Sequence, residues 1–417
     1  MKRTLDRRAF LARGAGVAGA AAAGLVAPAA RAAESPPAVP PWMQVPGKPM
    51  SGYGSPSKFE EPVKRFLVQP YGPISPGSGA SRTPLHALEG TITPNGLHFE
   101  RHHNGVPEID PAQHRLLIHG LVKTPVVFTM QALLRFPRTS RVCFIECGGN
   151  SNPNSMSPKP PQLPAGTIHG LVSCTEWSGV PLALLLEEAG VDPRASWLLA
   201  EGADSAAMSH SIPLEKALDD AMVALYQNGE RLRPEQGYPV RLLLPGWLGN
   251  ANVKWLRRIK LLDAPMQAKD ETSKYTDPTP DGKARQFTFV MGVKSVITQP
   301  SVGMSLQGPG WYEISGLAWS GAGKVSKVEV SADGGASWRE AALQEPVFSK
   351  SVTRFRLPWQ WNGESALLQS RATDEKGRVQ PARAAWLAQY MPQQRYHNNS
   401  IQTWAVQTDG SIANVYA

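Results

Sequence analysis

Cysteine is scarce in this chain, with three in 417 residues, too few for a disulfide framework. No C-x-x-C-H stands in the sequence to attach haem, and no cysteine cluster could hold iron and sulfur. Beyond the N-terminus no apolar run approaches the roughly 20 residues of a membrane-spanning helix, so no membrane span is expected. Runs of Lys and Arg are also missing, which argues against nucleic acid as a partner. No repeat of fixed period is visible.

What the sequence does have begins at its first residue. The segment "MKRTLDRRAFLARGAGVAGAAAAGLVAPAARAAE" has a basic start, an apolar Ala/Gly/Val run and small residues at its end, the pattern of an export signal. Arg7 and Arg8 stand side by side, which resembles a twin-arginine signal over 1–32, with cleavage near Ala32 or Ala33. That route carries proteins folded in the cytoplasm, often around a cofactor, into the periplasm. The full chain carries +9; without residues 1–32 it keeps 37 basic and 33 acidic residues, a net charge of +4.

Residues 33–85 are rich in Pro, Gly and Ser and read as an extended lead-in that wraps a core. From 86 to 270, short β-rich runs such as "HRLLIHGLV", "RVCFIEC" and "SWLLAEG" alternate with helical stretches such as "PLALLLEEAG" and "PLEKALDDAMVAL". Helical periodicity then fades. Strands with turn chemistry fill 271–417, among them "KVEVSADGG", whose Asp333 and Gly334 predict a hairpin. The predicted class is α+β: a mixed α/β domain, then a β-sandwich of immunoglobulin type with a C-terminal tail that packs on a domain or partner.

The stretch "RVCFIECGGNSNPN" holds two of the three cysteines and runs from strand into turn after Cys147. In a strand, Cys143 and Cys147 stand roughly 13 Å apart, beyond the roughly 7 Å that a disulfide spans. Cys143 could still pair with Cys174, but both read better as small buried hydrophobes. For Cys147 three readings stay open: an incidental residue at a tight turn, a nucleophile, or the one protein ligand of a metal whose other ligands belong to a cofactor. The glycines at 148 and 149 would give such a group room.

Four segments, in order, carry a resemblance to the sulfite oxidase family. "CFIECGGN" resembles its Cys-Ala/Gly-Gly-Asn, and "HFERHHNGVP" its Phe-x-x-Arg-Asn-His-x-x-x-Pro. "WSGVPLALLLEEAG" and "EQGYPVRLLLPGWLGNANVKWL" resemble its Trp-x-Gly-Val-x-Leu and Gly-Phe/Tyr-Pro-x-Arg to Val-Lys-Trp segments. The resemblance implies a molybdenum-molybdopterin cofactor, with Cys147 as metal ligand and catalytic residue. It implies cofactor contacts at His102, His103, Asp204, Gln236, Arg241, Asn252, Val253 and Lys254, with His102 replacing the family's Asn and Gln236 its His. Arg101 matches the arginine that binds the substrate oxyanion, and Tyr275 matches the active-site tyrosine by spacing. Ser151 stands where the family often has a further arginine. The family fold is a cofactor domain followed by an immunoglobulin-like dimerisation domain.

The lengthened segments around Cys147 and Arg101 most resemble the branch that serves as molybdenum subunit of sulfane dehydrogenases. That branch implies a c-type cytochrome subunit as electron acceptor, a sulfur-carrier protein bearing the substrate on a cysteine, and homodimerisation within a heterotetramer. Alternatives are a sulfite dehydrogenase acting on free sulfite, a protein methionine sulfoxide reductase, and a scaffold subunit without cofactor.

Overall fold

The computed structural model describes residues 39–68, 76–391 and 394–417; the export signal read at 1–32 lies outside the described residues. Among the described residues no helix is long and apolar enough to cross a membrane.

Two five-stranded sheets build the first half of the fold. In one, Thr139–Glu146 pairs antiparallel with Val172–Pro181, which pairs with Met222–Gln227; Arg241–Leu243 joins the last of these. Alternation sorts the first strand's faces, because successive side chains in a strand point to opposite sides. Cys143, Ile145 and Cys147 enter a small apolar cluster with Phe99 and Trp177, while Phe144 enters the main core. In the second sheet Leu256–Leu262 lies parallel to Arg115–Gly120 and antiparallel to Trp197–Gly202. Helix Leu182–Ala189 presents Leu182, Leu185, Leu186 and Ala189 to the core and stops at Gly190, whose φ of 67° is the left-handed C-cap that glycine adopts without strain.

One stretch predicted as a single helix divides. Leu214–Asp219 is helical, but Met222–Gln227 is a strand in the sheet centre. Asp220, at φ −136°, ends the helix, and the apolar run after it is buried on both faces, a setting in which strand and helix patterns look alike.

The lead-in read over 33–85 is uneven: no residue from 39 to 68 is buried, whereas Ser78, Ser81, Arg82, Thr83 and Leu85 are, and Leu85 joins the main core. Tyr53 donates a hydrogen bond to Glu230, and Arg65 pairs with Glu100, while the larger apolar side chains of 39–68, among them Trp42, Met43, Phe59 and Leu67, stay exposed. Its continuation matters more for the site. Strand Gly79–Arg82 pairs with Glu100–His102, placing Ala80 opposite Arg101 and Gly79 opposite His102.

After residue 290 the chain forms two antiparallel sheets in a sandwich. One joins Lys294–Gln299, Gly310–Trp319 and Thr353–Trp361; the other joins Val325–Ser331, Ala366–Asp374, Thr403–Val406 and Ile412–Val415. The aromatic tail is therefore sheet, its last two strands extending the second layer. Trp404 is fully buried between the layers and donates its indole N–H to Ile297 O at 3.0 Å. The hairpin at Asp333 and Gly334 forms, with Gly334 and Gly335 both at positive φ. Trp404→Ala removes a filled core volume and a satisfied hydrogen bond, and is expected to lower unfolding free energy by about 3–5 kcal/mol in urea titration.

Candidate active site

Strand Thr139–Glu146 ends where a tight turn begins. Cys147 N–H donates to Leu171 O at 2.9 Å, and Asn150 N–H returns to Cys147 O at 2.9 Å. The thiol of Cys147 is thus presented at the end of a buried strand. Across from it Gly249 packs closely, since an added Cβ would stand 3.3 Å from Cys147 Cα and 3.0 Å from Glu146 O, a tight fit that favours glycine. At Gly149 the same added atom would come 3.9 Å from Cys147 Sγ, so this glycine leaves space beside the sulfur.

All eleven residues singled out in the sequence line one cavity of about 680 Å³. Arg101, His102 and His103 enter from the strand that pairs with the lead-in, and Cys147 from the central strand's end. Asp204 follows strand Trp197–Gly202; Gln236 and Arg241 flank the turn after Pro234. Asn252, Val253 and Lys254 come from the loop before Leu256–Leu262, and Tyr275 from the chain that leaves this half.

The hydrogen bonds separate the roles these side chains can have. Asn252 Oδ1 accepts from Leu244 N–H at 2.7 Å and its Nδ2 donates to Leu248 O at 3.0 Å, so its side chain is committed to the loop and its backbone faces the cavity. Arg241 donates to Gln236 O and Asn252 O, each at 3.0 Å, and its guanidinium lies 5.1 Å from the Trp177 ring. Lys254 Nζ donates to His102 Nδ1 at 2.8 Å, Glu235 O at 3.1 Å and Arg101 O at 3.2 Å. His102 then uses Nε2–H toward Glu100 Oε2 at 2.7 Å, the tautomer of a neutral ring. Gln236 Nε2 donates to Phe99 O at 2.9 Å.

Two buried cations therefore face the cavity with neutral groups as their hydrogen-bond acceptors. Burial pulls the Arg241 pKa down to about 9, and burial followed by the nearby Arg241 charge holds Lys254 well below its usual range. Such an arrangement is relieved by an anion between them. His98 Nε2, Arg241 Nε and both side-chain polar atoms of Asn250 are buried without a protein partner beside the same cavity. Polar atoms left open in this way fit a polar, anionic organic group rather than an apolar ligand.

Around the thiol the chemistry changes. Burial raises the Cys147 pKa, while the Gly149 N–H and the charges of Arg101 and Arg82 pull the other way. Tyr275 sits in the left-handed region at φ 56° and is buried, which raises its phenol pKa. Its Oη lies 3.4 Å from His103 Nε2, and burial holds that imidazole near a pKa of about 3, hence neutral. A second, wider opening shares Arg101, His103, Cys147 and Tyr275 with the cavity and leads to solvent past Arg82, Lys274 and Tyr396.

Sequence reasoning missed Arg82, Tyr396, His98 and Gly249. It also missed the buried group behind Cys147. Glu146 accepts from Asn150 Nδ2 at 2.9 Å, Trp319 Nε1 at 2.7 Å and Lys294 Nζ at 3.2 Å. Lys294 also donates to Ser151 Oγ and Asn398 O, each at 2.7 Å. No local pattern announces these pairs, which join positions 148 and 173 residues apart. All three cysteines are free and buried.

The geometry thus fits an anionic organic cofactor beside a thiol, and the comparisons give the class, a molybdopterin-dependent oxidoreductase. Residues 103–269 match the oxidoreductase molybdopterin binding domain, and residues 285–404 match the Mo-co oxidoreductase dimerisation domain. The structure of the sulfane dehydrogenase SoxCD from Paracoccus pantotrophus contains a similar chain, 47% identical, with a TM-score of 0.88 over 91% of this chain and 98% of that one. Mitochondrial sulfite oxidase of Drosophila melanogaster is 33% identical over 69% of this chain and 52% of its own length. An NADH nitrate reductase of Solanum lycopersicum is 33% identical over 73% of this chain and 38% of its own. The chain thus spans about half or less of these curated relatives. It belongs to the sulfite oxidase family, and its cofactor is molybdenum-molybdopterin.

Lys294→Met leaves Glu146 as an uncompensated buried charge directly behind Cys147. The expected result is a loss of about 3–5 kcal/mol in urea unfolding, together with less molybdenum retained per chain after gel filtration.

Proposed function

We propose that this chain is the molybdenum subunit of a periplasmic sulfane dehydrogenase. Its substrate is sulfane sulfur held on a cysteine of a SoxY-like carrier protein, and its electron acceptor is a SoxD-like c-type cytochrome subunit. The observation that carries this reading is the convergence of Cys147, Arg101, Tyr275 and two buried cations on one cavity that opens to a broad mouth. The 47% identity to a chain of SoxCD, extending through both halves, favours sulfane dehydrogenation over other chemistries of the family. The export signal read at 1–32 supports a periplasmic location, and the dimerisation domain supports pairing of two copies.

In this proposal Cys147 is the protein ligand of molybdenum. Arg241 and Lys254 hold the anionic end of the cofactor, with Asp204, His103, Gln236, the ring of His102 and the backbone at Asn252 and Val253 around the pterin. When bound, the cofactor accepts two electrons for each oxygen atom that passes from water to sulfur. Arg101 positions the substrate's oxyanion near Cys147; its own strand fixes it there, with Nη1 donating to His102 O. Tyr275 keeps its proton at ordinary pH because burial raises its pKa, so its hydroxyl can donate a hydrogen bond to oxygen on the reacting sulfur. His103, neutral and within reach of Tyr275 Oη, can accept from that hydroxyl. Each oxygen added from water releases two electrons and two protons; the electrons require the external cytochrome, since this sequence has no haem motif.

Three measurements test the reading. Purified wild-type protein is expected to hold about one molybdenum per chain, and Cys147→Ser to lose activity by orders of magnitude; a colourless, metal-free wild type would favour the scaffold alternative. With thiosulfate-loaded carrier as substrate, cytochrome reduction should greatly exceed that with free sulfite. The reverse order would identify a sulfite dehydrogenase, and turnover with protein methionine sulfoxide and a reductant would identify a reductase.

A further inference from the structure

We propose that Arg82, held in place by Asn152, is a second oxyanion-binding residue at the mouth of the site and forms a pincer with Arg101. The inference rests on the oxidoreductase reading above and specifies how its substrate's charged end is gripped.

Ala80 and Arg82, spaced by two along the lead-in strand Gly79–Arg82, line the mouth together with Ser78 just before it, so one face of that strand forms a wall of the opening. The neighbouring strand carries Arg101, with Ala80 directly opposite it. Two arginines from paired strands thus line an opening that Cys147 lines as well. Arg82 is 94% buried by its surroundings, at 6% exposure, and its fork is fixed at two corners. Nη1 donates to Ile168 O at 2.9 Å, and Nη2 to Asn152 Oδ1 at 3.1 Å.

Ser151, on the turn after Cys147, is 1% exposed and turns inward, its hydroxyl 2.7 Å from both His169 Nδ1 and Lys294 Nζ. The turn therefore sends no cation into the mouth from that position. Its next residue, Asn152, instead supplies the carbonyl that steers Arg82 there. Because Arg82 arrives on the lead-in strand, at the mouth's edge, the empty space of about 1900 Å³ in front of Cys147 stays open. That geometry suits a sulfur oxyanion, sulfonate or thiosulfonate in kind, on the end of a protein-borne arm. Asn152 is a positioning residue in this scheme. No bond is made or broken by either side chain.

Inorganic sulfate titrated calorimetrically into the holoenzyme is the probe. Arg82→Gln is expected to raise the sulfate Kd about tenfold or more, as loss of a charge-assisted hydrogen bond does, with molybdenum content and Tm close to wild type. Arg82→Lys should recover part of the affinity, and Asn152→Ala, a milder change, should weaken binding severalfold. Unchanged sulfate affinity in Arg82→Gln overturns the proposal. So does a wild type that binds no sulfate, or an affinity loss that only tracks lost molybdenum. If Arg82→Gln does not fold, Asn152→Ala decides by the same readout. A wild type that lacks molybdenum yet binds sulfate through Arg82 would sink the oxidoreductase reading and leave this one standing.

Discussion

A buried carboxylate with three donors holds this molecule's two halves in register. Glu146 is 2% exposed, and it accepts hydrogen bonds from Asn150 on its own turn and from Trp319 and Lys294 of the β-sandwich. A charge in such a place is tolerated only when paired and fully hydrogen-bonded. Satisfying it fixes the backbone at 146, and the next residue is Cys147. The sandwich is therefore part of the apparatus that aims the thiol, whatever its role in pairing copies.

The same logic repeats along the turn. Asn154 bonds to Gln402, accepts from Asn414 Nδ2 at 3.0 Å, and its carbonyl accepts from Tyr416 at 2.8 Å. His397 N–H donates to Gly148 O at 2.8 Å. A second ion pair, Lys350 with Asp220 at 2.6 Å, joins the halves away from the site. The segment after Cys147, which departs from the usual family pattern, thus divides its labour: Ser151 and Asn154 bind the second domain, and Asn152 faces the mouth. On the cavity's other side the forces are opposite in kind. Arg241 and Lys254 are left with neutral acceptors, so that wall is polar, positive and incomplete until an anion arrives.

Much of the site was legible because its parts sit in short segments whose order alone carries the resemblance. The eleven positions read from "HFERHHNGVP", "CFIECGGN", "AEGADS", "GYPVR", "NANVKW" and the spacing to Tyr275 surround a single cavity. The strand carrying Cys147 was legible from its Val, Phe and Ile, and the sandwich from alternation and turns. What escaped was whatever depends on distant pairing. Lys294 looks like an ordinary lysine before a strand; only the fold brings it to Glu146. Arg82 lies in a stretch whose composition suggests a passive lead-in, and its pairing with the Arg101 strand could not be read from local pattern. Met222–Gln227 was misread because a fully buried strand lacks the alternation that distinguishes it from a helix.

Ligation of the metal by Cys147, as proposed, is read out by X-ray absorption at the molybdenum edge of wild-type holoenzyme and of Cys147→Ser. The variant is expected to lose one sulfur neighbour of the metal and gain an oxygen in its place. An identical sulfur shell in the two proteins would contradict it.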